Sequence, residues 1–355
     1  MLSTIKSLKF IYSLAKYNPD YYPKTKIRNE FYLGLNNKDI ELKILSRHNK
    51  NDQISVIIIP GASGDAEEHA GMLFLGSIIC NLGYKVFIPR IPPLKELRLN
   101  NDCFDWVAHS YAEIIKRNDV LNNKVIAMAL SFGGGVLLKA SFDSRISQTP
   151  PKSIMTFGTY CDIQSTLKFL CDGEIKLDNQ KYLIQPHSWG LTVLFHNFLD
   201  KFNFPEIKGY NKKIKEIIAL RIEDQLEEVD AKILALPEIQ AKFIRNIFDS
   251  KINDEVRDEI NRVISNEKEF IETMSPKYWA NKVNNKVFIM HGSNDSMVPF
   301  TESIDLSKYI ENSSLFISYM YEHKEISTDR GLLFKIKEFY KMYRFFKRYF
   351  QYNGN

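Results

Sequence analysis

The chain has 355 residues, with 48 Lys and Arg against 43 Asp and Glu for a formal charge of +5, and 44% of its residues are hydrophobic. That apolar content excludes a disordered chain, and 16 Gly with 13 Pro exclude a collagen-like one. A chain of this length buries about three quarters of its surface on folding, enough for one large α/β domain with an insertion, and its longest apolar runs fall well short of the ~20 residues that span a bilayer.

Residues 1–30 read as a basic helical extension. Lys6, Lys9 and Lys16 interrupt the apolar stretch from Met1 to Tyr17, so no secretory signal is expected there. Phe31 to Leu35 and Ile40 to Ser46 predict an antiparallel hairpin turned at Asn36-Asn37, because Asn tolerates the left-handed backbone of a tight turn. Buried strands follow at Ile54 to Pro60, Tyr84 to Pro89, Lys124 to Leu130, Ser153 to Gly158, Lys286 to His291 and Leu315 to Met320. Helical stretches lie near Asp65 to Asn81, Phe104 to Arg117, Phe132 to Phe142 and Glu302 to Glu311. The alternation predicts an α/β fold, a mostly parallel eight-stranded sheet with helices on both faces. It stops after Tyr160. Residues 161–275 show helical periodicity, as in Ile214, Ile217, Ile218, Ile222 and Leu226, with no buried strand, and read as a helical cap punctuated by Pro205 and Pro237. Residues 31–160 and 276–355 then form the core.

Chemistry concentrates where strands end. Lys124-Val-Ile-Ala-Met-Ala-Leu-Ser131-Phe-Gly-Gly-Gly135 drives a buried strand into a serine and then a helix, with Ala129 and Gly133 small enough for a tight turn around Ser131. The plain alternative is a Gly-rich helix start that packs closely on the sheet. Downstream, Lys-Val-Phe-Ile-Met-His291-Gly-Ser-Asn-Asp295 ends another strand, and His323 closely follows the last one. Ser131, Asp295 and His323 thus occur in the Ser…Asp…His chain order, each just past a strand's carboxyl end. A serine hydroxyl needs an adjacent base, neutral imidazole suits that task, and a carboxylate fixes the imidazole's tautomer. Asp162, also at a strand's end, is the rival acid. His291 reads as a structural histidine.

With these residues in place the sequence resembles the α/β-hydrolase fold family, esterase- and lipase-like, from the hairpin at Phe31 to a final helix near Phe350. The resemblance implies a serine hydrolase with Ser131 as nucleophile, His323 as base and Asp295 as its orienting acid. The oxyanion donors are then the backbone amides of Ala62, in Pro60-Gly61-Ala62-Ser63-Gly64, and of Phe132 at the helix start. Two positions depart from the family pattern: Pro60 replaces the usual His of that loop, and Glu322 rather than a small residue precedes His323.

The expected substrate is a small-molecule carboxylic ester of an apolar acyl group, with thioester or amide cleavage, acyl transfer and a non-catalytic ligand- or partner-binding role as alternatives. No cofactor and no metal is implied. Cys80, Cys103, Cys161 and Cys171 form no CxxC pair, which fits reduced thiols and a cytoplasmic setting. His69, His187 and His196 lack ligand spacing, and Arg90 in the stiff Pro89 to Pro93 loop reads as a surface salt bridge. No nucleic-acid module is present. Charge divides unevenly: residues 1–28 carry +5, residues 330–355 carry +6 and the remainder −6. The terminal helix from Arg330 to Tyr349 mixes basic and aromatic residues; one face closes the sheet, or the helix contacts an anionic membrane peripherally.

Overall fold

Runs of Val and Ile with both faces apolar need cover on both sides, and the sheet supplies it. The computed structural model describes residues 2–16, 25–47, 53–177, 180–319 and 331–354. In chain order these form α1 (Leu2–Leu14), β1 (Ile27–Leu33), β2 (Asp39–Leu45), β3 (Ser55–Ile59), α2 (Ala70–Asn81), β4 (Lys85–Pro89), α3 (Pro92–Lys95) and α4 (Asp102–Ile115). Next come β5 (Val125–Leu130), α5 (Phe132–Ala140), α6 (Ser144–Ser147) and β6 (Ile154–Phe157). The segment between β6 and the next sheet strand holds α7 (Ile163–Asp172), β7 (Glu174–Leu177), β8 (Gln180–Leu183), α8 (Ser188–Phe198), α9 (Asn211–Ile222), α10 (Leu226–Leu234), α11 (Glu238–Phe248), α12 (Asp254–Asn266) and α13 (Lys268–Met274). The chain returns through β9 (Val287–Gly292), α14 (Thr301–Tyr309), β10 (Ser313–Ser318) and α15 (Leu332–Asn353).

The eight-stranded sheet has the order β1-β2-β4-β3-β5-β6-β9-β10. β2 is antiparallel to both of its neighbours, and the pairs from β4 to β10 are parallel. This is the mostly parallel α/β sheet that the alternation predicts. Period-two alternation sorts each strand between two apolar layers. Val56, Ile58, Val86, Ile88, Ile126 and Met128 face Phe10 of α1, Ile78 of α2 and Phe346 of α15. Ile57, Ile59, Phe87, Ala127 and Ala129 face α4 and α5, and this second layer runs without a break into the insertion through Leu194, Ile218 and Ile244.

α15 packs against the sheet with its later turns. Phe288, second residue of β9, meets Tyr349 at 5.1 Å between ring centroids. Ser153, just before β6, donates to Asn353 Oδ1 at 2.9 Å. The end of the helix therefore lies at the beginnings of the strands, and α15 runs against their direction.

The structure differs from the sequence reading in two places. β1 begins at Ile27, four residues before Phe31, and pairs from Ile27↔Leu45 onward; six of its seven residues are less than fully buried, so the edge strand shows no apolar run. The turn is as expected, with Asn37 at φ 57°. Between β6 and β9, β7 and β8 form a small antiparallel hairpin where no strand is expected. Ile175 is its buried residue and β8 is exposed throughout, which explains the missing signal.

Candidate active site

Ser131 stands between β5 and α5 with φ 49° and ψ −127°, and its side chain does not cap the helix it precedes. A positive φ at a residue with a side chain costs about 1–3 kcal/mol and persists only where its surroundings enforce it. Here they do. The Ser131 amide donates to Phe157 O at 2.7 Å, and its carbonyl accepts from Gly134 N at 3.0 Å. Thr159 Oγ1 donates to the same carbonyl at 3.2 Å. The glycines after it let α5 start against the neighbouring loops: a Cβ on Gly133 would lie 2.2 Å from Pro60 O, and one on Gly134 1.9 Å from Thr159 Oγ1. Because Pro60 offers backbone there, Gly133→Ala should push the loop away and cost about 3 kcal/mol or more, read as a lowered midpoint in urea unfolding.

The Pro60 loop borders the same point. A Cβ on Gly61 would come within 3.3 Å of Ser131 Cβ, so the Gly61–Ala62 backbone lies directly beside the serine. Among the described residues, the amides of Ala62 and Phe132 make no backbone hydrogen bond. Phe132 is also the first residue of α5, where amides point outward and the helix dipole is positive. Pro60 thus leaves the Ala62 donor available, and its carbonyl accounts for the need for glycine at position 133.

Asp295 follows β9. Its Oδ1 accepts from Met297 N at 2.8 Å and Val298 N at 3.0 Å. Its Oδ2 lies 3.4 Å from His291 Nε2, and would be 2.9 Å from a Cβ on Gly158, which follows β6 at φ 60°. Burial alone would push this carboxyl up; hydrogen bonding with His291 and the two amides outweighs it and holds Asp295 below its ordinary value. Ser131 and Asp295 therefore flank one short stretch, residues 157–159 at the end of β6, with the serine bonded to Phe157 and Thr159 and the carboxylate against Gly158. β5 and β9 are the two neighbours of β6, about 10 Å apart by strand spacing. An imidazole hydrogen-bonded on both sides bridges two oxygens about 8 Å apart. His323 lies outside the described residues.

The other sequence candidates have defined partners. Asp162 caps α7 by accepting from Gln164 N at 3.0 Å and pairs with Lys277. Its amide and that of Cys161 donate to the buried carboxylate of Glu302 at 2.7 and 2.8 Å, which ties α14 to this turn. Asp162 is thus tied to the start of α7, to Lys277 and, through its amide, to α14. His291 is fully buried, its Nε2 donating to Val298 O at 2.9 Å and its Nδ1 lying 2.7 Å from Ser303 Oγ. His69 and His187 cap α2 and α8 through their Nδ1 atoms. Arg90 is more than a surface ion pair: its Nε donates at 2.7 Å to Glu67, whose side chain has no solvent exposure. Glu41, Glu67 and Glu68 are grouped closely enough to ligate a metal, but Arg90 and Lys43 already supply the cationic partners. The four cysteines are free and buried, and burial pushes each thiol up, Cys80 and Cys103 to about 11, which leaves them unreactive.

Sequence reasoning missed Gly158, Phe157 and Thr159, which join the two halves of the site, and the insertion residues that reach its rim. A Cβ on Gly64 would lie 2.6 Å from Ile222 O at the end of α9. The His187 amide donates to Ser296 O at 2.9 Å. The Gly158-Thr159 pair at a strand's end was the available signal.

Comparison with known proteins bears on the fold. The BD-FAE family model matches residues 232–310, a segment that holds Asp295 but not Ser131. No curated protein sequence matches the chain. Among solved structures, the acylaminoacyl peptidase of Pyrococcus horikoshii superposes with a TM-score of 0.50 at 9% identity, over 93% of this chain and 42% of the peptidase. The chain has the α/β-hydrolase fold. It spans about two fifths of the peptidase's length. An esterase from Exiguobacterium antarcticum aligns with a TM-score of 0.41 at 14% identity, over 82% of this chain and 90% of the esterase. In open α/β sheets ligands bind outside the carboxyl ends of the parallel strands, and that is the edge on which Ser131 and Asp295 stand.

Proposed function

We propose that the chain is a serine hydrolase that cleaves carboxylic esters through an acyl-enzyme. The observation that carries this reading is the backbone of Ser131, held at positive φ with its hydroxyl uncommitted to the helix beside it. Strain of this kind clusters at functional sites, and at Ser131 it falls on a nucleophile-type side chain at the carboxyl end of a strand. In the proposed reaction Ser131 Oγ attacks the ester carbonyl while His323 takes its proton and Asp295 orients the ring. The amides of Ala62 and Phe132 receive the negative charge that develops on the carbonyl oxygen. The tetrahedral adduct collapses, the alkoxide leaves with the proton from His323, and water repeats the sequence on the acyl-serine. The insertion reaches the rim at Gly64 and Ser296, where it can limit which acyl groups enter.

The test is covalent labelling with a fluorophosphonate, which phosphonylates an activated serine and releases fluoride. Labelling at Ser131, with turnover across a series of p-nitrophenyl esters of rising chain length, is the expected result. A folded protein that takes up no label would instead be a hydrolase-fold binding protein.

A further inference from the structure

We propose that α1 and the first turns of α15 together form a surface that docks on an anionic lipid bilayer. α1 buries Phe10 and Ile11, with Phe10 against Phe346 at 4.5 Å between ring centroids. Its opposite face exposes Leu2, Ile5, Leu8 and Tyr12, spaced by three and four residues into one stripe, with Lys9 and Lys16 beside it. α15 divides along its length. Met342, Phe345, Phe346, Tyr349 and Phe350 are buried, whereas Leu332, Leu333 and Ile336 are exposed, Leu333 at 84%. The two helices run side by side in the same direction, because Thr4 of α1 meets Tyr343 of α15 at 3.4 Å and Phe10 meets residues 346 and 350 further along both, so the α1 stripe begins about where the exposed first turns of α15 end.

Charge selects the occupant. Among the described residues, α15 forms one ion pair, Lys341 with Glu338, and α1 forms none. Residues 2–16 carry Lys6, Lys9 and Lys16 and no acid, and the first turns of α15 carry Lys335 and Lys337, their one acid, Glu338, being buried and paired with Lys341. A second copy would set like charges against each other. A nucleic acid would satisfy the lysines but leave the leucines in water. An anionic bilayer offers negative headgroups and an apolar interior at one boundary. Among the described residues no helix is long and apolar enough to cross it. The aromatic face of α15 does close the sheet, and the membrane surface is a separate property of its other end.

Orientation follows from the fold. The first turns of α15 lie toward the carboxyl ends of the strands, so docking there would set the Ser131 edge nearer the lipid than the opposite edge of the sheet. That consequence rests on the hydrolase reading; docking does not. The experiment therefore uses full-length Ser131→Ala protein, in which hydrolysis plays no part, in flotation with phosphatidylcholine vesicles containing or lacking 30% phosphatidylserine. At least tenfold tighter binding to the anionic vesicles is expected, weakened in 0.5 M NaCl and lost in Leu333→Asp/Ile336→Asp protein with an unchanged melting temperature. Equal binding to both vesicles, binding by the double variant at the parent level, or dimerisation through this face without vesicle binding would overturn the proposal.

Discussion

Ser131→Ala should abolish fluorophosphonate labelling and lower ester turnover by at least about 10,000-fold, because no other group can form the acyl intermediate. Far-UV circular dichroism should stay unchanged, since the site's backbone bonds, from Ser131 N to Phe157 O and from Gly134 N to Ser131 O, do not involve the hydroxyl. Ser131→Gly separates chemistry from strain. Glycine occupies positive φ without penalty, whereas alanine at φ 49° keeps it. Relief of the strain exceeds the extra chain entropy of glycine, so the Gly variant should melt about 1–2 °C above the Ala variant while being as inactive. Equal melting would mean that the Ser131 backbone is not strained.

Asp295→Asn should lower kcat by about 1,000- to 10,000-fold with little change in KM, the loss that follows when a catalytic imidazole is no longer held in its productive tautomer. The amide can still accept from Met297 and Val298 through its oxygen. Its NH2 group, however, would face the Nε2–H that His291 donates to Val298, one donor against another. Asp162→Asn is the control: Asp162 is bound to Lys277 and the start of α7, so this change should lower stability and leave kcat near the parent value. The pH dependence has a definite sign. The folded pKa of Asp295 is lowered, so its ionised form stabilises the fold fully above the unfolded carboxylate value of about 4. That contribution fades as pH falls through the lower folded value. Urea unfolding of Asp295→Asn should lack this part of the acid sensitivity. Parent-like kcat in the Asn variant would assign Asp295 to structure.

The residues legible in sequence are those whose signal is local. Val56 to Ile59 announce a doubly covered strand because every position is apolar, and Ser131 announces its turn because Ala129 and Gly133 must be small. Asp162 and Asp295 looked alike for the same reason: each is an acid after a strand, and sequence carries nothing of Lys277 or Glu302 for one, or Gly158 for the other. The β7–β8 hairpin left no trace because burial of Ile175 alone sets no period. Arg90 read as a surface residue because its partner Glu67 is buried by the surrounding fold, not by its own pattern, Asp65-Ala-Glu-Glu-His69.

One apolar layer extends from beneath the sheet through α4 and α5 into the helices between β6 and β9. Those helices are therefore not a detachable module. A chain engineered to run directly from β6 to β9, omitting residues 163–274, would lose the part of this layer that Leu194, Ile218 and Ile244 supply and the cover over the Gly-rich loop at Gly64. It would present a wet apolar surface prone to self-association. Shuffling this segment between proteins of the same fold to change selectivity should succeed only when the facing residues of the recipient sheet layer travel with it.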